Sequence, residues 1–225
     1  MIKMVVFDMA GTTVNENNVV YKTVHQAIAD AGYHVSFEQV LANGAGKEKL
    51  QAVKDILRID LGIDDETLAE GIHKNFVAML EKAYENLDVQ PEVGAEQVFI
   101  ALKNKGIYVV LNTGYDAKTA RSLLVKLGWV EGEQIDLLVT ASDVPNNRPK
   151  PDMIQFAMRH FGIEDGKQVA KVGDSSIDIE EGLNAGCGLS IGVTTGAHTR
   201  EQLEAVNPDY IIDGLDELVG IVERK

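Results

Sequence analysis

From about residue 95 onward the chain alternates between two hydrophobic rhythms. Helical spacing over residues 95–105 stops at Gly106, a residue type that readily ends helices. Ile107-Tyr108-Val109-Val110-Leu111 follows as a nearly continuous apolar run, the pattern of a strand covered on both faces. The same reading predicts helix over 117–127, strand over 135–140 and helix over 151–161, with Pro151 at its start. Strands over 169–172 and 189–193 flank a short helix over 178–185, and residues 209–212 and 215–224 supply a last strand and helix. Alternation of this kind implies an α/β fold, a Rossmann-like parallel sheet with helices on both faces.

The segment from Asn15 to Gln90 breaks that rhythm and holds no convincing strand. Residues 21–31, 37–43, 47–57 and 65–85 carry helical spacing, with turns at Gly32, at Gly44 to Gly46 and at Gly62. The chain is therefore expected to divide into an α/β core, residues 1–14 and 91–225, and an inserted helical domain, residues 15–90.

Composition narrows the class. The chain has 225 residues, 45% hydrophobic and 25% charged, as an ordinary globular protein does. A net charge of −14 argues against a nucleic-acid or anionic membrane surface, and no apolar run approaches the roughly 20 residues of a membrane span. Cys187 is the single cysteine and fits a reducing, cytoplasmic setting; Met1-Ile2-Lys3-Met4 runs straight into the first strand and leaves no room for a signal peptide. Cys187 and Trp129 are read as packing residues, and the five histidines show no metal-ligand spacing.

Four strand ends of the predicted core offer polar groups. The first ends in Asp8, the second in Asn112-Thr113-Gly114 and the fourth in Gly173-Asp174-Ser175-Ser176, with Asp178 close behind; the loop after Thr140 presents Arg148 and Lys150. In a parallel sheet such ends converge on one edge. Asp8 and Asp174 offer the hard oxygen donors that Mg²⁺ prefers. The Gly11-Thr12-Thr13 turn can aim backbone amides at an anion, Thr113 can hydrogen-bond the same oxygens, and Arg148 or Lys150 can neutralise charge on a transferred phosphoryl group. Asp8 can serve as nucleophile, since carboxylates form aspartyl-phosphates.

These stretches, 8–14, 112–114, 148–151 and 173–178, resemble the four motifs of the haloacid dehalogenase superfamily of aspartate-nucleophile hydrolases. The helical insertion is similar to that family's type 1 cap domain. Within the superfamily the chain looks most like phosphonoacetaldehyde hydrolase (phosphonatase) and phosphonatase-like hydrolases. The likeness rests on Asp8-Met9-Ala10-Gly11-Thr12-Thr13, on Thr113-Gly114-Tyr115, and on Ser142-Asp143-Val144-Pro145 followed by Arg148-Pro149.

The resemblance implies Asp8 as nucleophile and metal ligand, with the Ala10 carbonyl, Asp174 and Asp178 completing a Mg²⁺ site. It implies a phosphate or substrate site of Gly11, Thr12, Thr113, Gly114, Tyr115, Arg148 and Lys150, a small phosphonate or phosphorylated metabolite as substrate, and a homodimer paired through the caps. In phosphonatases a cap lysine forms a Schiff base with the aldehyde; Lys49, three residues after Gly46, stands at the matching place, where apolar spacing of Leu50, Val53, Ile56 and Leu57 predicts a helix start. Most phosphatases of the superfamily carry Asp where this chain has Ala10, an acid that protonates the leaving alcohol and contributes ~10²–10⁴-fold. Its absence argues against a small-molecule phosphatase or a β-phosphoglucomutase-like enzyme, and an enamine leaving group on Lys49 would not need it. Asp8, Thr113, Arg148 and Asp174 together argue against a non-catalytic binding module. The chain also departs from the phosphonatase pattern: Ala52 replaces a His three residues after the lysine, Ala45 a Met, and Met9 a Trp. A Schiff-base lysine needs a depressed pKa, from burial or from a neighbouring cation such as Lys47.

Overall fold

Met4-Val5-Val6-Phe7 has no polar side chain to show to water, so as a strand it has to be covered on both faces. In the computed structural model, which describes residues 1–85 and 87–225, it is an inner strand of a six-stranded parallel sheet. In chain order the elements are β1 (Met4–Phe7), β2 (Val14–Asn15), α1 (Val19–Asp30), α2 (Phe37–Gly44), α3 (Lys49–Leu61), α4 (Glu66–Glu85), β3 (Gln90–Pro91), α5 (Ala95–Lys103) and β4 (Tyr108–Thr113). There follow α6 (Ala117–Leu127), β5 (Leu137–Thr140), α7 (Asp152–Phe161), β6 (Val169–Gly173), α8 (Ser176–Asn184), β7 (Leu189–Val193), α9 (Arg200–Glu204), β8 (Tyr210–Ile212) and α10 (Leu218–Glu223).

The sheet order is β5-β4-β1-β6-β7-β8. The chain leaves β1 for β4 and β5 on one side, then returns to β6 on the other. That reversal opens a crevice between the carboxyl ends of β1 and β6, where open α/β sheets bind their ligands. Side chains alternate across β1: Val5 and Phe7 join one buried cluster, Met4 and Val6 the other. On the first face Phe7 meets Phe99 edge-on at 5.5 Å, and Phe99 meets Trp129 at 5.2 Å. Trp129 also donates its Nε1–H to Glu96 at 2.9 Å. Cys187 is buried in the second cluster, and burial pushes its thiol up to about 12.

Between β2 and β3, helices α1 to α4 pack on one another. Their apolar stripes meet inside: Val24, Ala27 and Ile28 from α1, Val53, Ile56 and Leu57 from α3, Ile72, Phe76 and Leu80 from α4. Ser36 and Gln39 close a reciprocal cap at the start of α2, and Gly62, in the left-handed region at φ 69°, ends α3. Where the chain enters and leaves this unit, β2 and β3 pair antiparallel, Val14 opposite Pro91 and Asn15 opposite Gln90. The expectation of no strand there is corrected at this neck; a two-residue ladder is too short to leave a hydrophobic period. Helix α3 begins at Lys49 rather than at residue 47. Among the described residues no helix is long and apolar enough to cross a membrane.

Candidate active site

Asp8, Asp174 and Asp178 meet at the mouth of the β1/β6 crevice, all buried, with one carboxylate oxygen of each within 4.8 Å of the others. Asp8 follows β1 directly. Asp174 follows β6, and Asp178 lies in the first turn of α8. Arg148 reaches in from the loop between β5 and α7, pairing with Asp8 at 2.8 Å and with Asp178. Lys171, fully buried on β6, supports the group from behind, at 2.8 Å from Asp178 and 2.7 Å from the Asn112 oxygen. Asn112 in turn donates to both oxygens of buried Glu181.

These contacts separate the three acids electrostatically. Burial alone would raise all of them. At Asp178 the charges of Lys171 and Arg148 outweigh burial and hold the carboxyl well below its ordinary range. At Asp174 burial is joined by the negative charges of Asp8 and Asp178, and its pKa rises well above normal. Asp8 is also raised by burial, with Arg148 opposing. Arg148 is stabilised as a cation: burial works against it, but Asp178 and Asp8 outweigh that.

The donor set fits a divalent cation. Among the described residues no cationic side chain pairs with Asp174, which accepts only from Thr12 Oγ1 at 3.3 Å and from the Ala197 amide at 2.6 Å. It is also held closely: a Cβ on Gly11 would meet its Oδ2 at 2.5 Å, and one on Gly196 would overlap it. Three converging carboxylates without enough counter-charge, built of hard oxygens, suit an ion such as Mg²⁺.

The turn after Asp8 is arranged differently from expectation. The amides of Gly11, Thr12 and Thr13 are taken up inside the turn, bonding to the carbonyls of Val14, Met9 and Met9 at 3.0, 3.2 and 2.8 Å. Among the described residues the amides of Met9 and Ala10 make no such bond, so these are the donors left for an anion. The Thr12 hydroxyl serves Asp174 rather than the crevice. Thr113, at the end of β4, accepts the Tyr115 amide at 3.1 Å and keeps its own hydroxyl hydrogen for a ligand. Arg148 keeps its Nε–H, buried and without a partner among the described residues. Lys150, by contrast, is exposed, so of the two loop cations Arg148 is the one that reaches the acid cluster.

Lys49 arrives from the helical unit. Glu48 caps α3, accepting from the amides of Leu50 and Gln51, both at 2.9 Å. The Lys49 side chain is 7% exposed, donates to the Lys47 carbonyl at 2.5 Å, and lies 5.6 and 5.5 Å from the ring centres of Tyr21 and Tyr115. Burial, and then the charge of Arg148, lower its pKa to about 8, against the pull of Asp8, Glu48 and Glu16. Lys47 is not the cause, since it pairs with Asp55 at 2.6 Å. Beside Lys49 a cavity of about 680 Å³ runs between α4 and α6, lined by Phe76, Leu80, Tyr84, Tyr115 and Lys118.

Several residues here were not anticipated. Lys171 carried a signal, a lysine inside an otherwise apolar strand of a doubly covered sheet. His198, Glu16 and Tyr84 carried none. His198 bridges the two parts of the molecule, its Nδ1 accepting the Ser176 amide at 3.0 Å and its Nε2 facing the Leu41 carbonyl at 3.2 Å.

The sequence matches the haloacid dehalogenase-like hydrolase family over residues 2–186, and the chain belongs to that family, a hydrolase built on this fold. It is 26% identical to phosphonoacetaldehyde hydrolase of Latilactobacillus sakei over 99% of this chain and 96% of that one. It is 28% identical to phosphoglycolate phosphatase of Vibrio parahaemolyticus over 98% of this chain and 96% of that one. A hydrolase from Pseudomonas syringae shares the fold at TM-score 0.86 with 17% identity, covering 99% and 98% of the two chains.

Proposed function

We propose that the protein is a Mg²⁺-dependent, phosphonatase-like hydrolase that cleaves a small phosphonate aldehyde through a phospho-Asp8 intermediate, with Lys49 as the Schiff-base residue. The observation that carries this is the Lys49 amine, buried beside two tyrosine rings and lowered to about 8, next to a nucleophile loop with Ala10 in place of a second acid. The phosphonoacetaldehyde hydrolase relative, matched end to end, agrees with it. When bound, Mg²⁺ on Asp8, Asp174, Asp178 and the Ala10 carbonyl would offset phosphoryl charge.

The neutral Lys49 amine adds to the carbonyl carbon, and the carbinolamine takes up one proton and loses water, giving an iminium. An Asp8 oxygen attacks phosphorus, the P–C bond breaks, and its electron pair moves into the iminium to leave an enamine on Lys49 and a phosphoryl group on Asp8. Protonation at carbon and addition of water free the aldehyde, and a second water releases phosphate from Asp8. Arg148, Thr113 and the amides of Met9 and Ala10 stabilise the phosphoryl oxygens. Helices α1 to α4 act as the cap, excluding water and carrying Lys49 to the core. A cytoplasmic location and a homodimer paired through the caps go with this proposal.

A phosphate-ester hydrolase is the second reading, favoured by Ala52 and by the phosphoglycolate phosphatase relative. Borohydride trapping with phosphonoacetaldehyde separates the two. The expected result is a reduced adduct on Lys49, absent from Lys49→Arg and retained in Asp8→Asn, which forms the imine but releases no phosphate. No adduct, together with turnover of phosphate esters, overturns the Schiff-base assignment.

A further inference from the structure

Glu16 lies on the short connection between β2 and α1 and is 2% exposed. Its Oε2 accepts the Val20 amide at 3.0 Å and faces the Tyr84 hydroxyl at 3.5 Å. The Tyr84 hydroxyl is in turn 3.2 Å from that of Tyr115. Both tyrosines line the cavity that also contains Lys49, and the Tyr115 ring lies beside the Lys49 amine. A carboxylate is thus connected through two phenols to the wall of the pocket where imine formation would take place.

We propose that Glu16, acting through Tyr84 and Tyr115, is the proton reservoir for imine formation at Lys49, the task for which phosphonatases have the histidine replaced here by Ala52. This rests on the Schiff-base reading of Lys49. One arrangement of hydrogens satisfies every oxygen: Tyr115 donates to Tyr84, and Tyr84 donates to Glu16. The Tyr115 oxygen then faces the pocket as an acceptor. A proton carried there from the Lys49 ammonium by a water in the shared pocket shifts each hydroxyl hydrogen one place along and ends on Glu16, leaving a neutral amine. The amine adds to the carbonyl carbon, and an internal proton transfer gives the carbinolamine. The stored proton returns along the same path to its hydroxyl, which leaves as water, and the iminium remains. Glu16 ends as the carboxylate it was, so ammonium and aldehyde yield iminium and one water with no other reactant.

The groups facing Glu16 are Lys49 from α3, Tyr84 from α4, Tyr21 from α1 and Tyr115 from the loop after β4. Burial raises the carboxyl to about 7, against the opposing pull of the Val20 and Val19 amides and of Lys49. Reservoir and amine are therefore close in proton affinity, as efficient exchange between them requires.

Glu16 also caps α1, and a purely capping residue would explain its burial. Glu16→Gln separates the two roles, because the amide oxygen can still accept from Val20 while the side chain no longer titrates. The test is the rate of borohydride-trappable adduct formation with phosphonoacetaldehyde across pH, in the wild type, Glu16→Gln and Tyr84→Phe. The expected result is a loss of roughly 10²-fold near neutral pH in both variants, with the inflection near pH 7 removed. Wild-type rates and pH profile in both variants would overturn the relay while leaving Lys49 as the Schiff base. Absence of any adduct in the wild type would overturn the Lys49 assignment and the relay with it.

Discussion

Ala10 lies two residues beyond Asp8, 8% exposed in a turn where the amides of Gly11, Thr12 and Thr13 bond inward. A methyl group there can neither give a proton to a leaving oxygen nor take one from water. An alkoxide leaves poorly without that help, whereas nitrophenolate and an enamine carbon do not depend on it. Ala10→Asp should therefore raise turnover of an alkyl phosphate by about 10²-fold and leave p-nitrophenyl phosphate nearly unchanged. Steady-state kinetics on the two esters checks this, and equal gains on both would show that the new acid acts on binding or on the metal instead. At this scale the positions of the candidate residues were readable, three of them from strand ends and Arg148 from the loop after β5. Asp8, Thr113, Arg148 and Asp174 all lie at the crevice. Lys150 stands exposed outside the cluster; two cations in one loop look alike in sequence, and only the fold shows which one turns inward. Glu16 was silent, a lone acid in an asparagine-rich stretch whose partner Tyr84 is 68 residues away.

Between elements, the decisive contact is the docking of the loop that joins α2 to α3. Gly114, just past β4, faces the Lys47 carbonyl so closely that an added Cβ would lie 2.7 Å from its oxygen and 3.1 Å from its carbon. Gly46, at φ 74°, sits against Ser175 and Ile177 ahead of and within α8, and its amide donates to the Tyr21 hydroxyl at 3.2 Å. Two strand ends of the core thus receive the backbone immediately before Lys49. Gly114→Ala should push that backbone away without altering Asp8. We expect Lys49 adduct formation to fall by at least about 10-fold, since misplacements of an ångström cost up to 10²-fold, while the thermal midpoint changes little. A loss of stability as large as the loss of adduct would mean that the contact serves folding. The alternation of strands and helices was legible from periodicity because those elements are long enough to show one. The β2/β3 neck was not, having two residues on each side, and neither was α9, a five-residue helix started by a Thr199–Gln202 reciprocal cap.

The whole molecule carries its acidity inward as well as on its surface. Among the described residues six buried acids (Asp8, Glu16, Asp55, Asp174, Asp178 and Glu181) share the interior with three buried lysine and arginine side chains, Lys49, Arg148 and Lys171. Asp178 is well compensated; Glu16 is not, and its stability cost can be isolated. Its pKa is about 7 in the folded chain against an ordinary 4.5, so between those values the folded state keeps a proton that the unfolded state has lost. Stability must then fall as pH rises through that window, by about 3 kcal/mol at ~1.4 kcal/mol per unit. Lys49 acts in the opposite sense in a higher window: its pKa is about 8 folded and 10.5 ordinarily, so stability recovers as pH rises between them. The contribution of these two groups is therefore lowest near pH 7 to 8. Urea unfolding of the wild type and Glu16→Gln, each at about pH 5 and about pH 8 with Mg²⁺ held constant, isolates the carboxyl. The variant should gain about 2.5 kcal/mol on the wild type between the two conditions, because an amide carries no charge to bury. If the two proteins keep the same difference at both pH values, Glu16 titrates as an ordinary carboxylate and cannot hold a proton at neutral pH for Lys49.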